Sequence, residues 1–266
     1  MIYSLLGLME VEIFVHPTCT TCHTLIRLLR QWNLIDKVKI YDTSKDPYIA
    51  LERGVRSVPS IFIDNELVFA GVVDFAKLRQ LLMGLKASEE AKLSDDELAS
   101  RFIRGVLDSV ATAAWLYVNE DCSAFTRDLK FLKAVTNLSV LDEKHVDRLV
   151  SLLNNPHTCR SLIEANEEGF LRAISVNFVR EVYWLMGKVD WGEVSGKYSV
   201  ESIAHWLMVR GSVSRVGLIP HRLSEEKFRA KVTKVYEYIK AHFSELMDKV
   251  SREQAELESD PYWLRN

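Results

Sequence analysis

The stretch Phe14–His23, FVHPTCTTCH, decides how this sequence is read. It closes a short apolar run, Glu12–Val15, with a Cys-x-x-Cys pair, Cys19 and Cys22, and then His23. Two cysteines at this spacing can cycle through a disulfide, hold a metal or pack a core. With His23 they also spell the haem c attachment signal. The flanks bear on the choice. Glu12–Val15 reads as a strand, and Leu25, Ile26, Leu28, Leu29 and Trp32 recur at helical spacing, which predicts a helix over 22–32. A strand before and a helix after put Cys19 at or near the helix N-cap. There, unpaired backbone N–H groups and the positive end of the helix dipole stabilise a thiolate. Thiol pKa values in such places span about 3.5 to 7.5. Cys22 falls in the first turn, within disulfide reach and more buried. The arrangement offers an attacking thiol and a resolving thiol.

The other readings need more than the sequence supplies. Haem attachment requires export and a distal ligand. A zinc or iron–sulfur site needs further ligands. Cys122 and Cys159 form no second Cys-x-x-Cys, which leaves His16, His23 or another chain to complete a site. A metal site and a purely structural pair stay open as alternatives, and neither a metal nor a cofactor is expected.

At 266 residues the chain can hold one large domain or two ordinary ones. Its 48% hydrophobic and 27% charged residues are those of a globular protein with a sizeable core. A net charge of -3 excludes a global attraction to nucleic acid or anionic membranes. Residues 1–9, MIYSLLGLM, lack a basic leading region and a small-residue cleavage site, so they read as a strand or helix cap rather than a signal peptide. The longest apolar run, Val110–Val118, is far short of the about 20 residues of a membrane span. A cytoplasmic location is expected, where a Cys-x-x-Cys pair is more often catalytic or metal-binding than structural.

Outward from the cysteines, Lys37–Tyr41 alternates as a half-buried strand. Asp46-Pro47 opens a helix that Gly54 ends. Ser60–Ile63 and Leu67–Phe69 are strands joined by Asp64-Asn65-Glu66 as a hairpin, and Asp74–Leu85 is a helix. The order βαβαββα implies a mixed four-stranded sheet with helices on its faces. Residues 86–94 read as a polar linker. Beyond it, Ser94–Glu97 is a capping box opening a helix to about Val118. Further helices are expected over 122–137, 142–153, 158–167, 170–186, 199–209 and 224–250, with Lys188–Lys197 as a loop. The division is an α/β domain over 1–86 and an all-α helical-bundle domain over 95–266.

Three blocks give residues 12–85 a resemblance to the thioredoxin/glutaredoxin superfamily. FVHPTCTTCH is a strand, Cys-x-x-Cys and helix. GVRSVPSIFIDNELV, from Gly54, resembles the family's Val-Pro turn and hairpin. AGVVDFAKLRQLL, from Ala70, resembles the Gly…Asp segment and last helix of glutaredoxins. The resemblance implies a thiol–disulfide oxidoreductase with Cys19 as nucleophile, Cys22 resolving the mixed disulfide and Pro59 cis. The Val58 backbone would pair with a bound peptide or glutathione strand. Thr20, Val58, Pro59 and Gly71 are the implied substrate contacts. The Thr20-Thr21 dipeptide is neither Gly-Pro nor Pro-Tyr, and the first strand lacks the buried Asp that thioredoxins place behind the resolving cysteine. The expected partner is a disulfide-containing protein or a small disulfide, with a homo-oligomer left open.

The helical part carries fewer signals. Leu98, Phe102, Ile103, Val106, Val110 and Ala114 form a core stripe. Trp184, Trp191 and Trp206 read as packing, His157-Thr-Cys159 and Cys122 as buried structural positions, and Glu201 with His205 as a local contact. Ser199–Pro220 has the look of a helix-turn-helix, with Ser212–Arg215 opening a second helix and Ser214 and Arg215 able to face DNA. Arg210, Arg215, Arg222, Lys227, Arg229, Lys231 and Lys234 make it basic. The turn is one residue short and lacks the usual Gly, so nucleic acid is not the expected partner. The competing function is a redox-responsive regulatory protein whose helical domain contacts a protein or nucleic acid.

Overall fold

The computed structural model describes residues 9–85, 92–138, 143–214, 216–217 and 220–263. The backbone groups into two compact units that do not follow chain order. The first comprises Met1–Gly105, Phe125–Leu152 and Leu257–Asn266, and the second Val106–Ala124 and Leu153–Glu256.

In the first unit, β1 (Val11–Val15), β2 (Lys39–Asp42), β3 (Ser60–Ile63) and β4 (Glu66–Ala70) form one sheet in the order β2-β1-β3-β4. β1 runs parallel to β2, while β1–β3 and β3–β4 are antiparallel. This is the mixed sheet the element order predicts. β1 is central, and all five of its residues are buried. Its side chains alternate between two layers, as strand geometry requires. Val11, Ile13 and Val15 join the larger cluster with Leu25, Ile26, Leu29 and Leu78. Phe14 packs on the other side with Ala50 and Phe62. Buried Glu12 is held by the Arg53 guanidinium. The β3–β4 turn uses Asp64 and Asn65, both at positive φ, residue types that tolerate the left-handed region.

Three helices flank the strands: α1 (Thr20–Gln31), α2 (Pro47–Glu52) and α3 (Phe75–Leu82). α1 buries Cys22, Leu25, Ile26 and Leu29 along one face. It ends in a Schellman turn. Asn33 takes φ 56°, its N–H bonds Arg30 O, and the Leu34 N–H bonds Leu29 O at 2.9 Å. α3 is capped by Asp74, whose carboxylate accepts the Lys77 N–H at 3.0 Å.

The linker read over 86–94 lies outside the described residues at 86–91, as do residues 1–8, and from Asp95 on the elements are helical. The capping box is present: Glu97 accepts the Ser94 N–H at 2.7 Å and Ser94 Oγ accepts the Glu97 N–H at 3.2 Å. The helix it opens does not reach Val118. It breaks at Ser109 into α4 (Asp95–Asp108) and α5 (Val110–Asn119). Ser109 is extended, and Thr112 Oγ1 donates to Val106 O at 2.7 Å, occupying a carbonyl that a continuous helix would pair with the Val110 N–H. The helix expected over 122–137 divides likewise into a 3-10 segment, Cys122–Arg127, and α6 (Leu129–Val135). Asp128 starts α6 by capping the Phe131 N–H, and its other oxygen accepts from Arg56 at 2.7 Å. α6 packs along β4, which covers an edge strand that would otherwise present unpaired backbone. α7 (Glu143–Leu153) follows.

The second unit holds α5, α8 (Pro156–Ala165), α9 (Glu167–Met186), α10 (Trp191–Ser195), α11 (Val200–Val213) and most of α12 (Glu226–Glu258). Two expectations are corrected here. The loop read over Lys188–Lys197 contains α10, opened by a reciprocal Asp190/Glu193 capping box. The helix-turn-helix is absent from the described residues: α11 runs through Ser212 and Val213, where the turn and second helix were expected. Ser214 is fully buried and accepts the Val216 N–H, while Arg215 lies outside the described residues. Much of the basic character is spent internally, with Arg210 paired to Glu181, Lys227 and Lys231 to Glu120, and Lys234 to Glu167. The tryptophans are packed or bonded singly. Trp206 donates to Glu181, Trp184 to Gln254, and Trp191 lies against Phe243. Among the described residues no helix is long and apolar enough to cross a membrane.

Candidate active site

β1 delivers the chain to a tight turn in which the Cys19 N–H bonds His16 O at 3.1 Å. His16 closes the turn with Thr18 Oγ1 at 2.7 Å from Nδ1. Burial pushes the His16 imidazole below its ordinary pKa, and the Asp42 charge opposes that shift. Cys19 is then the N-cap of α1, in extended conformation, and its Sγ accepts the Cys22 N–H at 3.1 Å. The first turn of α1 carries no acidic side chain, so nothing there competes with negative charge on that sulfur. Cys22 is fully buried while Cys19 is partly exposed. The pair lies at disulfide distance, with Cα atoms 5.2 Å apart.

The second wall comes from the segment before β3. Val58 O is 3.5 Å from Cys19 Sγ, and the Val58–Pro59 peptide is cis. The Gly71 N–H, at the end of β4, donates to Pro59 O at 2.8 Å. Gly71 sits at φ 78°, a conformation open to glycine without strain. Of the expected substrate contacts, Thr20 is exposed beside Cys19, Val58 faces the sulfur through its carbonyl, and Pro59 and Gly71 are buried behind it. The Gly71 N–H is committed to Pro59.

Sequence reasoning missed two features. His23 is 3% exposed and fully engaged, with Nδ1 2.7 Å from Asp260 Oδ2 and Nε2 2.8 Å from Pro17 O. Both nitrogens are occupied within the chain, so His23 is spoken for as a metal or haem ligand in this arrangement. Asp260 lies 237 positions away, and nothing in the sequence links the two. The second feature is in the helical part. Cys122 and Cys159, read as separate buried positions, lie together at disulfide distance with Cα atoms 5.7 Å apart, each 1% exposed.

A family model described as a thioredoxin domain matches residues 9–83. A curated protein named Probable Thioredoxin, from Archaeoglobus fulgidus, is 29% identical over 84 residues, which is 30% of this chain and 92% of that protein. No solved structure matches the chain. Strand, Cys-x-x-Cys, helix, Val-Pro turn and hairpin all fall inside the matched span: residues 9–83 form a thioredoxin-like domain.

Proposed function

We propose that the chain is a thiol–disulfide oxidoreductase working through Cys19 and Cys22. The observation that carries this reading is the asymmetry of the pair: Cys19 is partly exposed at a helix N-cap with an N–H on its sulfur, and Cys22 is buried behind it. In the reduced protein the Cys19 thiolate attacks one sulfur of a substrate disulfide. A Cys19–substrate bond forms and the other substrate sulfur leaves as a thiolate. Cys22, having given its proton to solvent, attacks Cys19 Sγ and releases the second substrate thiolate. Both products take protons from solvent. Two electrons have passed to the substrate and the pair is oxidised. A dithiol reductant resets it. Val58 presents backbone to an extended peptide, with Thr20 at the rim and Pro59 and Gly71 shaping the floor. A disulfide-containing protein or a small disulfide is the substrate.

The order of events makes a direct prediction. Cys22→Ser retains the attacking sulfur but not the resolving one, so incubation with a disulfide-bonded protein traps an adduct on Cys19. Non-reducing electrophoresis and peptide mass mapping should show it, and added dithiothreitol should release it. Absence of any adduct, or an adduct on Cys122 or Cys159 instead, contradicts the mechanism.

A further inference from the structure

The segment Asp260–Trp263 lies along α1 beside the row His23, Arg27 and Arg30, although it falls outside the span matched to the thioredoxin domain. The Asp260 carboxylate, 5% exposed, meets His23 Nδ1 at 2.7 Å and Arg27 at 3.8 Å. Arg30 Nε donates to Tyr262 O at 3.1 Å, and the Arg27 guanidinium sits over the Tyr262 ring. Trp263 stacks on His23 with ring centroids 4.1 Å apart. The segment is itself folded, since Asp260 Oδ1 accepts the Tyr262 N–H.

The chemistry of His23 follows from its partners. Pro17 O can only accept, and an ionised carboxylate can only accept, so both contacts are satisfied together when the ring carries a proton on each nitrogen. Burial works against charge on Asp260, but the His23 hydrogen bond, the Tyr262 N–H and the His23 and Arg27 charges hold its carboxyl below the usual range. The ring follows Cys22 in the chain, and its Nε2 contact pins the carbonyl of Pro17, which leads through Thr18 to Cys19.

We propose that Asp260 is a positioning residue of the redox site: its carboxylate holds His23 doubly protonated against Pro17 O, which fixes the loop before Cys19 and favours the Cys19 thiolate. His23 thus stands between Asp260 and Pro17 O, two residues before Cys19. Arg27 and Arg30 on α1 are the other charged groups engaged by the segment. The inference rests on the oxidoreductase reading and adds to it a residue from the far end of the chain.

The test uses reduced full-length protein and iodoacetamide, following Cys19 modification against pH by mass spectrometry. In Asp260→Asn the second acceptor charge is gone, His23 loses its reason to keep both protons, and the midpoint of Cys19 alkylation should rise by about one pH unit, slowing modification about tenfold below it. Asp260→Glu should restore most of the shift. If Asp260 acted only as a nearby negative charge, Asp260→Asn would lower the midpoint, and if it acted only in docking the segment, the midpoint would stay. Either result overturns the inference. Should Asp260→Asn fail to fold, nitrogen-15 NMR of histidine-labelled wild type decides: two N–H resonances on the His23 ring at neutral pH support the inference and a single one overturns it. Wild-type protein that reduces no disulfide would sink the underlying reading instead.

Discussion

Cys19→Ser should abolish disulfide reduction, lowering the single-turnover rate with pre-reduced protein and an aromatic disulfide by at least about a hundredfold. A serine hydroxyl at the same N-cap accepts the same Cys22 N–H, so α1 is retained, but it is not ionised at neutral pH and cannot exchange with a disulfide. Cys22 cannot substitute, because it is fully buried. Stability should change little, since Cys19 is only partly buried and its replacement keeps a capping atom. A variant with wild-type rate would show that the reactive thiol lies elsewhere in the chain.

The second large effect concerns the helical part. Cys122 and Cys159 join the segment after α5 to α8, and the Cys122 N–H points at Cys159 Sγ at 3.0 Å. A bond across 37 positions restricts the unfolded chain, and losing such a bond typically costs about 2–4 kcal/mol. Replacing both with alanine, which adds no buried hydroxyl, should therefore lower the denaturation midpoint of the oxidised protein. In the presence of reductant the gap between wild type and variant should shrink to a packing difference. Thiol counting should agree. Native oxidised protein should expose no reactive thiol, and mild reductant should free Cys19 and Cys22 well before the buried pair. Coincident midpoints without reductant would contradict the pairing.

What could be read in advance was local. The strand, the cysteines and α1 announce themselves within about twenty residues through apolar spacing and cap chemistry. The Asp64-Asn65 turn and the Ser94–Glu97 box carry their own local chemistry and appear where the sequence places them, and Asp46-Pro47 starts α2 through its proline, with no side-chain cap from Asp46. The failures have one physical cause, which is competition settled by distant or unspecific partners. Thr112 breaks a helix that periodicity alone would continue. Ser212 and Val213 stay helical because nothing at the expected turn forces an exit. Asp260 finds His23, and Cys122 finds Cys159, through packing that no motif encodes. The cysteine pair at the start of α1 was therefore legible, while the partners that His23 and Cys122 find far along the chain were not.

The most direct test of the central claim is the alkylation rate of the reduced wild-type protein against pH, with the modified cysteine located by mass spectrometry. The structure predicts selective reaction at Cys19 with an apparent pKa well below the about 8.5 of a free thiol, because its sulfur caps a helix and accepts the Cys22 N–H. Reaction at Cys19 no faster than at a free cysteine, or protection of Cys19 throughout, would contradict it.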